Sequence, residues 1–382
     1  MAHYGGMDTA LPTASPRSGN MLSYVRRHLE PFSERGLCPV DSLVLSWLAY
    51  TQLPAEAEQA GLNLRSWQGA PLRELYRAEY FPHYYAGIPG EADSLRLLAA
   101  VAASPRFRDL PVVGYREHTD WQAQKQFAAM TFRLQPDLSY VAFRGTDASI
   151  VGWKEDFNLC FCSPVPSQVD AAAYLQEAAR HLEGRLVVGG HSKGGNLAVY
   201  AAVSVPQDVQ ARLTQVCSHD GPGLLPELVE TEAYARVAPK ISKTVPQASV
   251  VGLLLEDQEQ HRVVRSKRLL IWQHDPFSWV VEGRDFAYVD SLTPSARLVD
   301  STLTAWLRSR SPEERERLID TLYAVLEAAG AQTTQDLLSG RWRTAPAVVR
   351  AFKDLDPQSR AFVTQALAEL LPLGVRSVPG LW

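Results

Sequence analysis

Residues 185–203, RLVVGGHSKGGNLAVYAAV, pass without a break from an apolar run through clustered glycines into an alanine-rich periodic segment. No other stretch constrains the fold as tightly. The apolar run bounded by glycine reads as a strand buried on both faces, and the segment after it reads as a helix. Small residues around Ser192, in Gly190-His191-Ser192-Lys193-Gly194, let a strand turn abruptly into a helix while the central side chain is forced outward. A serine at such a turn is a candidate nucleophile; the bland alternative is a glycine-rich turn with an incidental serine.

The surrounding sequence supplies a sheet for that turn. Short apolar runs at 139–145, 185–190, 215–220, 249–256 and 269–275 are each bounded by turn residues and read as strands. VDAAAYLQEAARHLEG (169–184) reads as a helix ended by Gly184, and a second helix follows Ser192. This alternation predicts an α/β fold, with a mainly parallel sheet, right-handed crossovers and flanking helices. Residues 21–110 are mostly helical in pattern, with Asp41 placed to cap SLVLSWLAY. Residues 293–382 read as helix throughout. Thr293-Pro294, Ser311-Pro312 and Asp356-Pro357 each put a cap residue before a first-turn proline, and Ser311 with Glu314 makes a capping box. Val299, Leu303 and Trp306 recur at helical spacing on the first of these helices, and Leu318, Leu322 and Val325 on the second. The chain thus divides into a flexible tail rich in Gly, Ser, Thr and Pro (1–20), a main domain (21–292) and a helical C-terminal region (293–382).

Composition narrows the function classes. With 382 residues, 46% hydrophobic and 21% charged, the chain can bury a large core. A formal charge of -4 and no Lys/Arg block argue against a nucleic-acid partner. Cys38, Cys160, Cys162 and Cys217 form no CxxC pair or regular framework, which fits a reducing, cytoplasmic setting. No apolar run is long enough to cross a bilayer, and no signal pattern opens the chain. There is no HxxxH or clustered Cys/His, and the glycine-rich loop lacks the Lys-Ser/Thr ending of a P-loop, so neither metal nor organic cofactor is expected.

A hydroxyl nucleophile needs a base and an oxyanion-binding pair. In an elbow-bearing fold the acid and the histidine follow the serine in that order, which leaves His219, His261 and His274. His219 directly precedes Asp220, and His261 sits in a charged stretch that reads as a solvated hairpin turn. His274 follows an apolar run and precedes Asp275-Pro276, where the backbone must leave the sheet, and is the expected base. Asp220, in CSHDGPG just past a strand end, is the expected acid, with Glu256 next; Asp275 is too close in sequence to face His274.

YVAFRGTD (140–147), GWKEDF (152–157) and GGHSKGGNLA (189–198), in this order, resemble the class 3 lipases. The chain is still more similar to an uncharacterised bacterial lipase-like family that shares FRGTD, GWKEDF, GHSKGGNLA, DGPG and QHDPFSW. The likeness spans roughly residues 40–290. It implies an α/β-hydrolase fold, ester hydrolysis, and an oxyanion hole from Thr146 and the backbone N–H of Lys193. The expected partner is a small-molecule ester or lipid. Departures from class 3 lipases are informative. Lys193 stands where they carry leucine, placing a cation at a pocket rim or in solvent. The segment 147–166 is short and charged rather than a long amphipathic lid. Trp153, Phe157 and Phe161 either line an acyl pocket or belong to the core, and Asp156 is expected to pair with Arg144 to hold the oxyanion strand. A thioesterase or acyltransferase would use the same residues, whereas a non-catalytic protein could keep the fold with no acid reaching His274.

Overall fold

The computed structural model describes residues 18–147, 150–159, 161–255, 261–297, 306–307, 309–328 and 344–376. The sequence-based tail lies almost wholly outside these, as do Val299, Leu303, Cys160 and Glu256.

Nine strands among the described residues form one sheet. They are β1 (Ala70–Pro71), β2 (Pro111–Asp120), β3 (Lys125–Gln135), β4 (Leu138–Phe143), β5 (Arg185–His191), β6 (Leu213–His219), β7 (Ile241–Pro246), β8 (His261–Val264) and, after a small hairpin of β9 (Val281–Glu282) and β10 (Asp285–Phe286), β11 (Tyr288–Val289). The spatial order is β1-β2-β3-β4-β5-β6-β7-β8-β11. β4 to β8 run parallel, with antiparallel pairs at both margins. This is the α/β-hydrolase fold: a mainly parallel sheet, helices on both faces, and the strand ends at one edge free to carry a site.

The two-residue period of the strands sorts side chains onto two cores. Tyr140, Ala142, Val187 and Cys217 face the N-terminal helices, whereas Val141, Phe143, Leu186, Val188 and Val216 face the helices Pro166–His181 and Lys193–Ser204. Each layer covers one face, so the central strands read as continuous apolar runs. Polar groups on the first face are paired. Tyr140 Oη lies 2.8 Å from both Ser42 Oγ and Ser46 Oγ, and Ser42 Oγ lies 2.8 Å from His219 Nε2.

Three local expectations change. The described part of the apolar run, 249–255, is not a strand; 251–253 form a 3-10 turn, and the strand beside β6 is the polar segment Ile241–Pro246. Likewise 270–274 form a 3-10 helix, and the strand is His261–Val264, so His261 opens β8 instead of sitting in a hairpin turn. The first run is partly buried in the loop after β7 with no ladder partner, whereas Leu269, Leu270 and Trp272 of the second are exposed on the segment that leads into His274. Asp41 is not the cap of its helix. The helix spans Pro39–Leu48, and the Asp41 carboxylate accepts from the Cys38 backbone N–H at 3.0 Å while pairing with Arg106.

Beyond the sheet, helices Pro312–Ala328, Thr344–Asp354 and Pro357–Arg376 enclose a small core of Leu318, Val363 and Ala366. Ser311 and Glu314 form the expected reciprocal cap, with bonds of 3.2 and 3.0 Å. Lys154 Nζ meets Asp320 Oδ1 at 3.1 Å and lies over the Tyr323 ring, which ties this layer to the helix Ile150–Asn158.

Candidate active site

The turn after β5 is strained in the way its sequence implies. Ser192 has φ 58° and ψ -134°, a region L-residues avoid, and the helix Lys193–Ser204 begins at the next residue. A Cβ on Gly190 would collide with the backbone of Gly194, and one on Gly194 would collide with the Phe143 carbonyl. Glycine at both positions is therefore what allows the strand, turn and helix to approach so closely. The Ser192 backbone N–H donates to the His219 carbonyl at 3.0 Å, which locks the turn to β6.

Two distant segments converge on the hydroxyl. His274, last residue of the 3-10 helix Leu270–His274, places Nε2 2.9 Å from Ser192 Oγ. Its Nδ1 lies 2.6 Å from Asp220 Oδ2. With Nδ1–H donating to the carboxylate, Nε2 is the acceptor for the serine hydroxyl. Asp220 is fully buried, follows β6 directly, and has φ 54°. Its N–H donates to the Thr244 carbonyl at 2.7 Å, and its second oxygen accepts from Ser249 Oγ at 2.5 Å. The carboxylate therefore has both oxygens engaged and one orientation. Asp275 turns away: its carboxylate accepts from the Phe277 N–H at 3.0 Å and meets Arg268 at 2.8 Å.

The imidazole is held from behind by groups that the sequence pattern does not single out. His191 Nε2 lies 2.9 Å from the His274 carbonyl oxygen, and the two rings are 4.6 Å apart. Burial, then the neighbouring His274, hold His191 well below the usual histidine range, so it is neutral. It donates through Nε2 and accepts the Tyr50 hydroxyl at Nδ1, 3.2 Å away. Gln273 accepts from the Ala248 N–H at 2.8 Å, and its carbonyl accepts from the Trp279 indole at 2.8 Å. The loop carrying His274 is thus pinned on both sides. Being residue 191 of the GHSKG stretch is the only sequence signal for His191; for Ser249 there is none.

Thr146 stands three residues beyond β4, whose Phe143 pairs in register with Gly190. Its hydroxyl donates to Asp156 Oδ1 at 2.6 Å. The Lys193 N–H lies in the first turn of its helix, where backbone donors have no intrahelical acceptor. The Lys193 side chain is neither at a rim nor in solvent. It is 1% exposed, with Nζ 2.9 Å from Glu155 Oε2 and 3.0 Å from the Gln126 carbonyl. Nor does Asp156 pair with Arg144, whose partner is Glu117. Burial pushes the Asp156 carboxyl up to about 6, a rise opposed by the Lys193 ammonium and the Thr146 hydroxyl. Phe157 is largely exposed and Phe161 half-buried, while the Trp153 side chain lies outside the described residues. Among the described residues no cluster of three or more His, Cys, Asp or Glu is placed to bind a metal, and no helix is long and apolar enough to cross a membrane.

The profile of the Mbeg1-like family matches residues 101–324, more than half of the chain. The chain belongs to the Mbeg1-like family. The matched span of this Mbeg1-like protein contains Thr146, Ser192, Lys193, Asp220 and His274. No curated protein matches it significantly. Among solved structures it is similar to a fungal lipase in an inhibitor complex described as a model for interfacial activation, at 16% identity and a TM-score of 0.35, over 67% of this chain and 89% of that one. It is also similar to the Rhizomucor miehei lipase–propeptide complex (18% identity, TM-score 0.32, 51% and 65%) and to M37 lipase (16%, 0.31, 53% and 70%). Likeness at this level assigns no activity to the Mbeg1-like chain.

Proposed function

We propose that this protein is a serine hydrolase that cleaves carboxylic esters. The observation that carries the reading is the unbroken hydrogen-bonded chain from Ser192 Oγ through His274 to the buried Asp220, built on a turn strained at the serine itself. His274 Nε2 takes the hydroxyl proton as Ser192 Oγ attacks the ester carbonyl carbon, and Asp220 stabilises the imidazolium without accepting the proton. The oxyanion of the tetrahedral intermediate is held by the N–H groups of Thr146 and Lys193. Collapse breaks the bond to the alkoxide, which leaves as the alcohol with the proton from His274. Water, deprotonated by the same imidazole, then releases the acid and restores Ser192.

Leu269, Leu270 and Trp272, on the segment that leads into His274, are 76%, 50% and 57% exposed, and large exposed apolar side chains so near His274 in sequence favour an ester whose acyl or alkyl part is apolar. The test is steady-state and burst hydrolysis of a short-chain p-nitrophenyl ester by the parent and by Ser192→Ala. Turnover with a stoichiometric burst in the parent, reduced about 10⁴-fold or more in the variant, is expected. Equal rates in both proteins would reject the assignment.

A further inference from the structure

Burying an ammonium costs several kcal/mol before its partners compensate, and an apolar residue of similar length would fill the same space without that cost. Lys193 is nevertheless buried directly beside the candidate nucleophile, facing a fully buried Glu155. The contacts of the pair explain its placement. Glu155 Oε1 accepts from the Ser167 N–H at 2.9 Å, and Oε2 accepts from the Gln126 N–H at 3.0 Å as well as from Lys193. Lys193 Nζ in turn donates to the Gln126 carbonyl. Gln126 is therefore gripped at both its backbone N–H and its backbone C=O. Its side-chain Oε1 then accepts from the N–H of Asp147, at 3.1 Å, and Asp147 is the residue after Thr146. On the other flank Asp156, next to Glu155, holds the Thr146 hydroxyl, and its Oδ1 lies 3.9 Å from Lys193 Nζ.

We infer that the Lys193–Glu155 pair is a positioning device for the oxyanion-binding loop: it fixes the segment 146–147 against the turn that carries Ser192. The inference rests on the hydrolase reading above. It joins the two sequence stretches GHSKGG and GWKEDF through one ion pair, each supplying one charge. The Lys193 backbone is a proposed oxyanion donor, and its side chain sets the distance to the other donor. The rigidity this gives is worth having because oxyanion donors act only when they are aimed in advance, and a displacement of about 1 Å costs on the order of 10²-fold in rate.

The test uses the full-length protein and Lys193→Met, with active sites counted by fluorophosphonate titration so that rates refer to folded enzyme. On a short-chain p-nitrophenyl ester, kcat is expected to fall about 10- to 100-fold with KM within about twofold. A trifluoromethyl ketone, whose adduct with Ser192 carries the oxyanion, should bind more weakly by the same factor as kcat falls. A variant with a lowered melting temperature but unchanged kcat per titrated site would overturn the inference, because the pair would then be structural only. If Lys193→Met does not fold, Glu155→Gln, which keeps the shape and one carbonyl acceptor, must show the same split, and its failure to do so is equally decisive. An inactive parent would remove the hydrolase reading and the inference together; an active parent with unaffected variants would remove the inference alone.

Discussion

Two ion pairs among the described residues are buried to 1% exposure or less on both sides, and they sit at opposite ends of β3. Arg106 meets Asp41 with two bonds of 2.8 and 2.6 Å, donates to the carbonyls of Glu30, Arg35 and Gly36, and lies over the Phe32 ring. It borders a cavity of about 520 Å³ rimmed by Leu134 and Gln135, far from the convergence of Ser192, Asp220 and His274. Lys193 instead meets Glu155 at the Gln126 end, beside that convergence. The first pair gathers an irregular segment, 30–36, whose carbonyls have no ladder to join. The second gathers backbone that is already in regular elements and aims a short loop. The same chemistry thus serves folding at one end and geometry at the other, and the difference should appear as stability effects in one case and rate effects in the other.

The largest effect that would sharpen this contrast belongs to Asp220. Asp220→Asn keeps the shape but favours the wrong tautomer of His274, so kcat should fall about 10⁴-fold while the melting temperature changes little. A loss under tenfold would mean that the carboxylate does not orient the base. Next comes the opposite end. Arg106→Met leaves the buried Asp41 with the Tyr24 hydroxyl, the Cys38 N–H and Arg284 at 3.9 Å but without its bidentate guanidinium, and chemical denaturation should register a loss of about 3 kcal/mol with kcat per folded molecule unchanged. A rate loss there instead would break the division between the two pairs. The smallest effect concerns His219, adjacent to Asp220 yet turned into the core. Burial pushes its imidazole down to about 3. An unfolded histidine takes up a proton near pH 6.5 and the folded one does not, so His219 destabilises the fold progressively as pH falls from 6.5 toward 3. His219→Gln, which keeps a partner for Ser42, should therefore lose about 2 kcal/mol less stability than the parent between pH 7 and pH 5, measured by urea titration, with no change in kcat at pH 7.

What the sequence makes legible follows the same division. The strand, turn and helix around Ser192 are written in local residue types, because a left-handed serine between close-packed segments demands Gly190 and Gly194. β4 and β5 are legible since burial on both faces leaves them mostly apolar residues, YVAF and LVV. β7 is not, because ISKTVP carries Lys243 and Ser242 in a strand whose partners, not its composition, make it one. The apolar runs at 249–256 and 269–275 mislead for the converse reason, being buried or exposed around loops. Order and position along the chain single out Ser192, His274 and Asp220 as candidates, and the His274 side chain lies within hydrogen-bond distance of the other two. Lys193, Glu155, Gln126 and His191 could not be given their contacts, since what decides a buried charge is which backbone groups face it, and that information is not in any single stretch of sequence.

Covalent trapping of the hydroxyl at position 192 puts the whole account at risk in a single step. The native protein, treated with a fluorophosphonate probe, digested and mapped by mass spectrometry, should carry one adduct, on the peptide containing Ser192, and Ser192→Ala and His274→Ala should carry none. An unlabelled parent, or an adduct on another residue that survives Ser192→Ala, would contradict it.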